Sequence, residues 1–536
     1  MPHRKEQRIL LVEDSDVQAE TLVRRMEEVS YRVTRAETFE EALTCLRTDY
    51  FHLAIIDICL DLSQGESRQG LEVLQEIKQR GWCELLPAIV ITQYGDYALL
   101  KRLLEVADNY SYVEKAPGYI AKLLTEIQQA FATKIPINFD LEFLADSAQQ
   151  LERCIEYIKQ ADETQVPRDV LLPQVFDLVC KMFRPAKSVM LDRVAEGLSG
   201  AAVLRARPTY SQGLPRPVVI KIGLRNKVER EAQNYQRHVK FFLTGNCTTQ
   251  LDAFYTRDLG GLLYTLNLAG ESKNLKEFFE SKAASEIVRA LTHLFKETCA
   301  PWYRSHKAAR YANLRDSYLE AFDLQDKPQR IPGEIQALHP EIDWTAPRVT
   351  LAPLAGEYPN PLLWLKNERA AWMPVSTCIT HGDLHADNIL INEHGECWLI
   401  DFYRTYPSHI LRDFVVLETD LKYRLMGEIK PSDFIIFEST LIDWDPRQTF
   451  SLPKALPPRV HKTGQVIAGL RAQAWSLLNL QTIKDAQREY LASLLMATLN
   501  VLRLRHMKTP ALAPRRELAL LSTLLLCERL EHLGIA

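Results

Sequence analysis

One stretch, Thr377 to Arg404 (TCITHGDLHADNILINEHGECWLIDFYR), limits what this chain can become more than any other. Asp383 and Asn388 stand five positions apart. The apolar run Ile389-Leu390-Ile391 follows Asn388, and a second, Trp398-Leu399-Ile400, leads into Asp401. Between them, Asn392-Glu393-His394-Gly395 is made of turn residues. The pattern predicts a β-ribbon with one acid before it and one at its far end. Phosphoryl transfer needs such a set: a carboxylate to orient the attacking hydroxyl, then an amide and a second carboxylate to hold Mg²⁺ against nucleotide phosphates. An ordinary hairpin would explain any one of these residues. It does not explain three polar positions in order with apolar strands between them.

The spacing resembles the kinase catalytic loop, Asp-x4-Asn followed by Asp-Phe-Gly. His381-Gly382-Asp383 in place of His-Arg-Asp resembles the aminoglycoside and choline phosphotransferase branch of that superfamily. Upstream, Val218-Val219-Ile220-Lys221 reads as a strand with an inward lysine and resembles the kinase Val-Ala-Ile-Lys strand. The resemblance implies a bilobal α+β domain over 188–536, with an N-lobe of about 188–268 and a helical C-lobe of about 269–536. It implies that Lys221 fixes the α/β-phosphates of ATP and pairs with a helix glutamate, Glu231, with Glu229 as the fallback. Asn388 and Asp401 would hold Mg²⁺, and Asp383 would take the proton of the acceptor hydroxyl. His381 is expected as a hydrogen-bonded scaffold residue. The short turn Gly197-Leu198-Ser199-Gly200 would bring backbone N–H groups to the phosphates, with Gly197, Ser199 and Gly200 as the contact positions. After Asp401 comes Phe402-Tyr403, where a protein kinase has Phe-Gly, and no Ala-Pro-Glu segment follows. Asp413 is expected to cap a helix and brace the catalytic loop. The acids from Glu418 to Asp445 are expected on a solvated, charge-mixed surface, because Lys422, Arg424 and Lys430 intervene.

The N-terminal 132 residues carry a different pattern. Ile9-Leu10-Leu11-Val12, Tyr31–Ala36, Leu53-Ala54-Ile55-Ile56, Ala88-Ile89-Val90-Ile91 and Tyr110–Val113 are five strand-like runs separated by helical ones. That alternation predicts an α/β doubly wound, five-stranded parallel sheet. Ligands bind beyond the carboxyl ends of such strands, where Glu13, Asp14, Asp57, Thr92 and Lys115 all fall. Three converging carboxylates call for a cation, most simply Mg²⁺ bound through oxygen. The segment resembles a two-component response-regulator receiver, flavodoxin-like in fold. The resemblance makes Asp57 the phosphoacceptor, Glu13 and Asp14 metal ligands with it, and Thr92, Lys115 and Tyr112 the switch residues. It implies an upstream sensor histidine kinase. Receivers usually have Lys-Pro, but Ala116 here precedes Pro117, and Asp61 to Gly70 is a longer, more polar loop than usual.

Residues 133–187 read as a helical linker, with Leu144, Leu151, Ile155 and Ile158 and then Val170 to Met182 at helical spacing. These helices could carry a signal, form a homodimer seam, or pack onto the next domain. At 536 residues the chain exceeds one ordinary core. Its net charge of −4, without basic blocks, argues against nucleic-acid binding. Ten scattered cysteines, without Cys-x-x-Cys, read as reduced core thiols of a cytoplasmic protein. The longest apolar stretch, Leu518 to Cys527, is too short to span a membrane. The architecture resembles the kinase-like effectors joined to receivers in bacterial ternary-complex systems. It leads to a receiver-gated phosphotransferase with an unidentified acceptor. The alternative is a receiver-switched pseudokinase or nucleotide-binding scaffold that acts through protein partners.

Overall fold

In the computed structural model the described residues are 6–58, 60, 69–93, 109–162, 164–196, 201–212, 217–243, 248–265, 272–367, 372–478 and 483–534. They divide into two compact units, Met1–Glu229 with Gln250–Leu266, and Arg230–Thr249 with Asn267–Ala536.

The first unit opens with β1 (Gln7–Val12), α1 (Asp16–Glu28), β2 (Tyr31–Ala36), α2 (Phe39–Thr48), β3 (Leu53–Asp57), α3 (Gln69–Gln79), β4 (Ala88–Thr92), β5 (Tyr110–Glu114) and α4 (Tyr119–Gln129). The strands form one parallel sheet in the order β2-β1-β3-β4-β5. Every residue of β3 and β4 is buried. Central strands covered by helices on both faces need such unbroken apolar runs, whereas the edge strands β2 and β5 are only partly buried. The register sets Val12 beside Ile56, Asp57 beside Ile91, and Thr92 beside Glu114. All the strand ends that matter therefore lie at one edge.

Residues 133–187 do not behave as a separate linker. Glu142–Leu144 forms β6, which pairs in parallel with β7 (Ser188–Glu196). Two helices, α5 (Ser147–Asp162) and α6 (Arg168–Met182), pack beside it. With β8 (Ala202–Thr209), β9 (Val218–Leu224), β10 (Thr249–Tyr255) and β11 (Leu259–Thr265), the second sheet has the order β10-β11-β9-β8-β7-β6. The reason is burial. Ile135, Ile137 and Leu141 are apolar and enclosed, and one continuous core joins one face of the first sheet, through α4, α5 and α6, to this second sheet.

The second unit is mostly helical. Its larger helices include Arg412–Asp420, Pro431–Asp443, Pro458–Trp475, Ile483–Val501 and Ala513–His532. The apolar run Leu518 to Cys527 is wholly buried in the last of these. Among the described residues no helix is long and apolar enough to cross a membrane. A stretch expected to be helical contains the strand Lys307–Asn313, which pairs with Trp372–Thr380, itself paired with Tyr406–His409. The predicted ribbon is present: Ile389–Asn392 pairs with Cys397–Leu399, and Ser272–Asn274 adds a third strand.

Candidate functional site

At the carboxyl edge of the first sheet, Glu13, Asp14 and Asp57 each place one carboxylate oxygen within 4.8 Å of the others. Lys115 comes directly after β5, and its Nζ lies 2.8 Å from Glu13 Oε2, 2.6 Å from Asp57 Oδ2 and 2.7 Å from Gln18 Oε1. Its backbone N–H donates to Thr92 O at 2.8 Å, so strand pairing itself places the lysine beside the threonine. Burial works against the Lys115 charge, but Asp57 and Glu13 outweigh it and hold the ammonium above its ordinary value. Burial also raises the Glu13 carboxyl, and Lys115 offsets this only in part. Tyr112 lies on β5 with its hydroxyl buried and without a hydrogen-bond partner among the described residues. Burial, then Glu114, raises that phenol. One ammonium cannot neutralise three carboxylates, and an oxygen-liganded divalent cation such as Mg²⁺ fits the donor set.

A second polar cluster surrounds the ribbon. Asn388 is buried; its Nδ2 donates to Asp383 O at 2.9 Å and lies 3.1 Å from His385 Nε2. The Ile400 N–H donates to Asn388 O at 3.2 Å, which ties the ribbon's exit to its entrance. Asp401 then turns at φ +67°, a left-handed conformation that costs a non-glycine residue energy and that occurs disproportionately at functional sites. His381 is fully buried, and its Nε2 lies 2.9 Å from Ile400 O. A carbonyl only accepts, so the ring proton sits on Nε2, and Nδ1 has no partner among the described residues. Burial holds this imidazole below its ordinary value despite nearby Asp413, Asp401 and Asp383. It is a neutral scaffold.

The loop is pinned from one helix. Asp413 Oδ2 and Oδ1 accept the backbone N–H groups of His381 (2.8 Å) and Gly382 (2.7 Å), and Tyr303 donates its hydroxyl at 3.0 Å. Asp413 thus makes the expected brace but not the expected cap: it lies in the first helical turn, and Leu411 precedes the helix. Asp420 accepts from Ala386 N at 2.8 Å, and Arg424 bridges Asp420 (2.9 Å) and Asp387 (2.7 Å). Sequence reasoning missed both residues by assigning them to the surface. The available signal was their spacing, since Asp413, Asp420 and Arg424 recur at seven and four residues, on one helical face. The expected solvated surface is corrected more broadly: Glu418, Asp420 and Glu438 are buried. Beside the loop, Arg404 pairs with Asp323 at 2.8 Å, on the wall of a cavity of about 430 Å³ lined by Arg230, Glu320, Asp323, Asp326, Lys327 and Tyr406.

Lys221 is buried on β9 between Val203 of β8 and Leu262 of β11. It belongs to the first unit, and Glu231, Asp383, Asn388 and Asp401 belong to the second. Glu231 is buried, whereas Glu229 pairs with Arg225 at 2.6 Å. Gly197, Ser199 and Gly200, and most of the loop from Asp61, lie outside the described residues.

Two family models match the chain. The model of the response regulator receiver domain matches residues 9–128. That of ternary complex associated domain 9 matches residues 186–323 and 319–503, more than half of the chain. Among solved structures, the chain is similar to a CheY-like response regulator receiver domain protein from Methanospirillum hungatei, with 26% identity, 24% of this chain and 96% of that one covered, and a TM-score of 0.21. It is also similar to the response regulator protein TrrA from Thermotoga maritima in complex with Mg²⁺ and BeF, with 29% identity, 23% and 97% covered, and a TM-score of 0.20. A third is the signal receiver domain of a LuxO repressor protein from Vibrio parahaemolyticus, with 26% identity, 24% and 91% covered, and a TM-score of 0.21. No curated protein matches.

Proposed function

The chain belongs to the ternary complex associated domain 9 family and carries a response regulator receiver domain at its N-terminus, and from that premise we propose that it is a two-component signalling protein in which phosphorylation of Asp57 controls a kinase-like phosphotransferase. The observation that carries the first half is Lys115 bridging Glu13 and Asp57 inside a three-carboxylate pocket. The Asp57 carboxylate is the nucleophile: one of its oxygens bonds to the phosphorus of a sensor kinase's phosphohistidine as the P–N bond breaks and the histidine leaves, or to that of a small acyl phosphate as the P–O bond breaks and the donor carboxylate leaves. Lys115 and the Thr92 hydroxyl then receive the phosphoryl oxygens. Glu13, Asp14 and Asp57 would hold an Mg²⁺ ion, which when bound would supply charge neutralisation for that group.

The second half rests on the pinned His381-Gly382-Asp383 loop, the buried Asn388 and the strained Asp401. In this reading Asp383 would orient the acceptor hydroxyl and take its proton, Asn388 and Asp401 would hold the metal, and Lys221 would meet the phosphates of ATP. The cavity beside Arg404 is then the acceptor site. One observation favours the scaffold alternative. Tyr403 is held where a protein kinase has glycine: Arg230 lies 4.9 Å over its ring, and Asn234 donates to its carbonyl at 2.7 Å.

Two experiments test the proposal. Acetyl phosphate with Mg²⁺ should add about 80 Da to the peptide that contains Asp57, and mass spectrometry should find no addition in Asp57→Asn. An adduct that survives the substitution rules out Asp57 as the acceptor. Separately, Mg·ATP at ~100 times Kd should raise stability by ~2.7 kcal/mol in a thermal shift assay. Asp401→Asn should lose the Mg²⁺-dependent part of that shift. A wild-type chain that shows no shift, yet still takes phosphate on Asp57, supports the scaffold.

A further inference from the structure

The first sheet is gripped at the end away from Asp57. His52, just before β3, is buried and accepts the Arg8 N–H on Nδ1 at 2.9 Å. Its proton therefore sits on Nε2, 2.7 Å from Asp177 Oδ2 on α6. Buried Tyr50 hydrogen-bonds the same carboxylate. Aromatic rings close around this pair: Phe139 and Phe131 lie 5.4 and 6.2 Å from His52, and Tyr31 stacks on Phe131 at 5.4 Å. A second clamp comes from the turn between β10 and β11. Arg257 Nη1 donates to Leu46 O at 3.1 Å and to Asp49 O, the carbonyls that end α2. Its neighbour Asp258 is locked to α6, with Gln174 Nε2 donating to Oδ2 at 2.7 Å and Gln174 Oε1 accepting the Asp258 N–H at 2.8 Å.

Separating these surfaces would expose a continuous apolar core, part His52 and Tyr50 from Asp177, and part Arg257 from the carbonyls that end α2. Undocking therefore carries a large free-energy cost. The joint is also connected in both directions. Asp57 and His52 sit at opposite ends of β3, five residues or about 17 Å apart. On the far side, α6 lies so close to β11 that a side chain on Gly261 would overlap Met182, with Leu178 at 3.1 Å. The next residue of β11, Leu262, is paired with Lys221.

We propose that the receiver regulates this chain while staying docked: the state of Asp57 passes along β3 to the His52–Asp177 pair, and through α6 and β11 to the strand that carries Lys221. This inference rests on the receiver reading of Asp57 and not on phosphotransfer. Order–disorder release, the common alternative for a switched domain, is disfavoured by the core that the two sheets share.

The test is hydrogen–deuterium exchange on the full chain with Mg²⁺ and beryllofluoride as the phosphoryl mimic. Altered exchange in residues 53–58 reports that the mimic has bound, so a failure of the receiver reading is seen there, apart from the proposal. With the mimic bound, exchange in Arg168–Met182 and Leu259–Thr265 should change about threefold or more, while residues 135–141 keep their protection. The double variant His52→Phe, Asp177→Leu removes both members of the pair and also takes the acceptors of the Arg8 N–H and the Tyr50 hydroxyl, so retained protection at 135–141 is the check that it stays folded and docked. It should keep the response at 53–58 and lose it at Leu259–Thr265. A wild-type response confined to the first 132 residues overturns the proposal. So does a tenfold loss of protection at 135–141, which would mean undocking, or a double variant that responds like wild type.

Discussion

Replacing Glu418 by alanine is expected to destabilise the second unit by about 3–5 kcal/mol. Glu418, Lys422, Glu438 and Arg471 are all buried. Arg471 forks onto Glu418 with bonds of 2.9 and 2.6 Å, and Tyr490 donates to it at 2.6 Å. Lys422 spans Glu418 (2.7 Å) and Glu438 (2.9 Å), and Ser522 donates to Glu438 at 2.6 Å. Two anions and two cations balance, so deleting one leaves an uncompensated charge in a dry interior. Trp475 packs at 5.8 Å from the Tyr490 ring and gives a local fluorescence signal for urea unfolding. A loss under about 1 kcal/mol would mean that water reaches the cluster.

The same network sets a pH dependence. Burial by itself would raise the Glu418 carboxyl, but Arg471 and Lys422 override it and hold it at about 2, against an ordinary 4.5. A carboxyl depressed by folding contributes stability that is complete above its unfolded value. That contribution disappears as the pH falls through the folded one. The urea midpoint should therefore decline from about pH 4.5 towards pH 2, and Glu418→Gln should flatten that part of the profile relative to wild type. Equal slopes in the two proteins would assign the acid sensitivity elsewhere.

The second large effect is expected at Gly382. Its φ is +81°, and a Cβ there would overlap the Arg404 carbonyl oxygen and sit 3.1 Å from Arg412 Cζ. Alanine must bear both the left-handed backbone and the overlap, together about 3–5 kcal/mol. Gly395 in the ribbon turn is the control, because its φ is +83° and the space around it is open. Gly395→Ala should cost only about 1–2 kcal/mol. Thermal denaturation compares the two, and Gly382→Ala should in addition lose any Mg·ATP-dependent shift, because Asp383 moves with its neighbour. Equal costs at the two positions would show that the loop yields to Arg404 and that its geometry is not fixed by close packing.

Much of this protein is local, and local features are legible in a sequence. Strands buried on both faces must be unbroken apolar runs, so Ile9–Val12, Leu53–Ile56 and Ala88–Ile91 announced the first sheet and the positions of Glu13, Asp57, Thr92 and Lys115 at its edge. The ribbon announced itself through two apolar runs around Asn392–Gly395. The charged side chains were harder to read. Glu418, Asp420, Lys422 and Arg424 look like surface residues because a charge is normally hydrated, and only the partner decides otherwise. Those partners, Arg471, Glu438, Asp387 and the Ala386 N–H, lie 16 to 53 residues away in sequence.

The residues from 133 to 187 show the same division. Their helical spacing fixed α5 and α6, because periodicity is a property of neighbouring residues. Whether those helices formed a free linker depended on what covered their apolar faces, and spacing carries no information about that. The sequence by itself therefore determined the strands of the first sheet, the helices α5 and α6, the strand-end acids and the order of the polar residues around the ribbon, but not β6 or the strand Lys307–Asn313. Tertiary structure alone decided which charges are buried, and that Asp413, Asp420 and Arg424 turn one helical face to the loop. It also decided that His52 and Arg257 bind the first sheet to α6 and to the β10–β11 turn of the second. Pairing across long sequence separations is set by which surfaces exclude water together, and no local pattern encodes that.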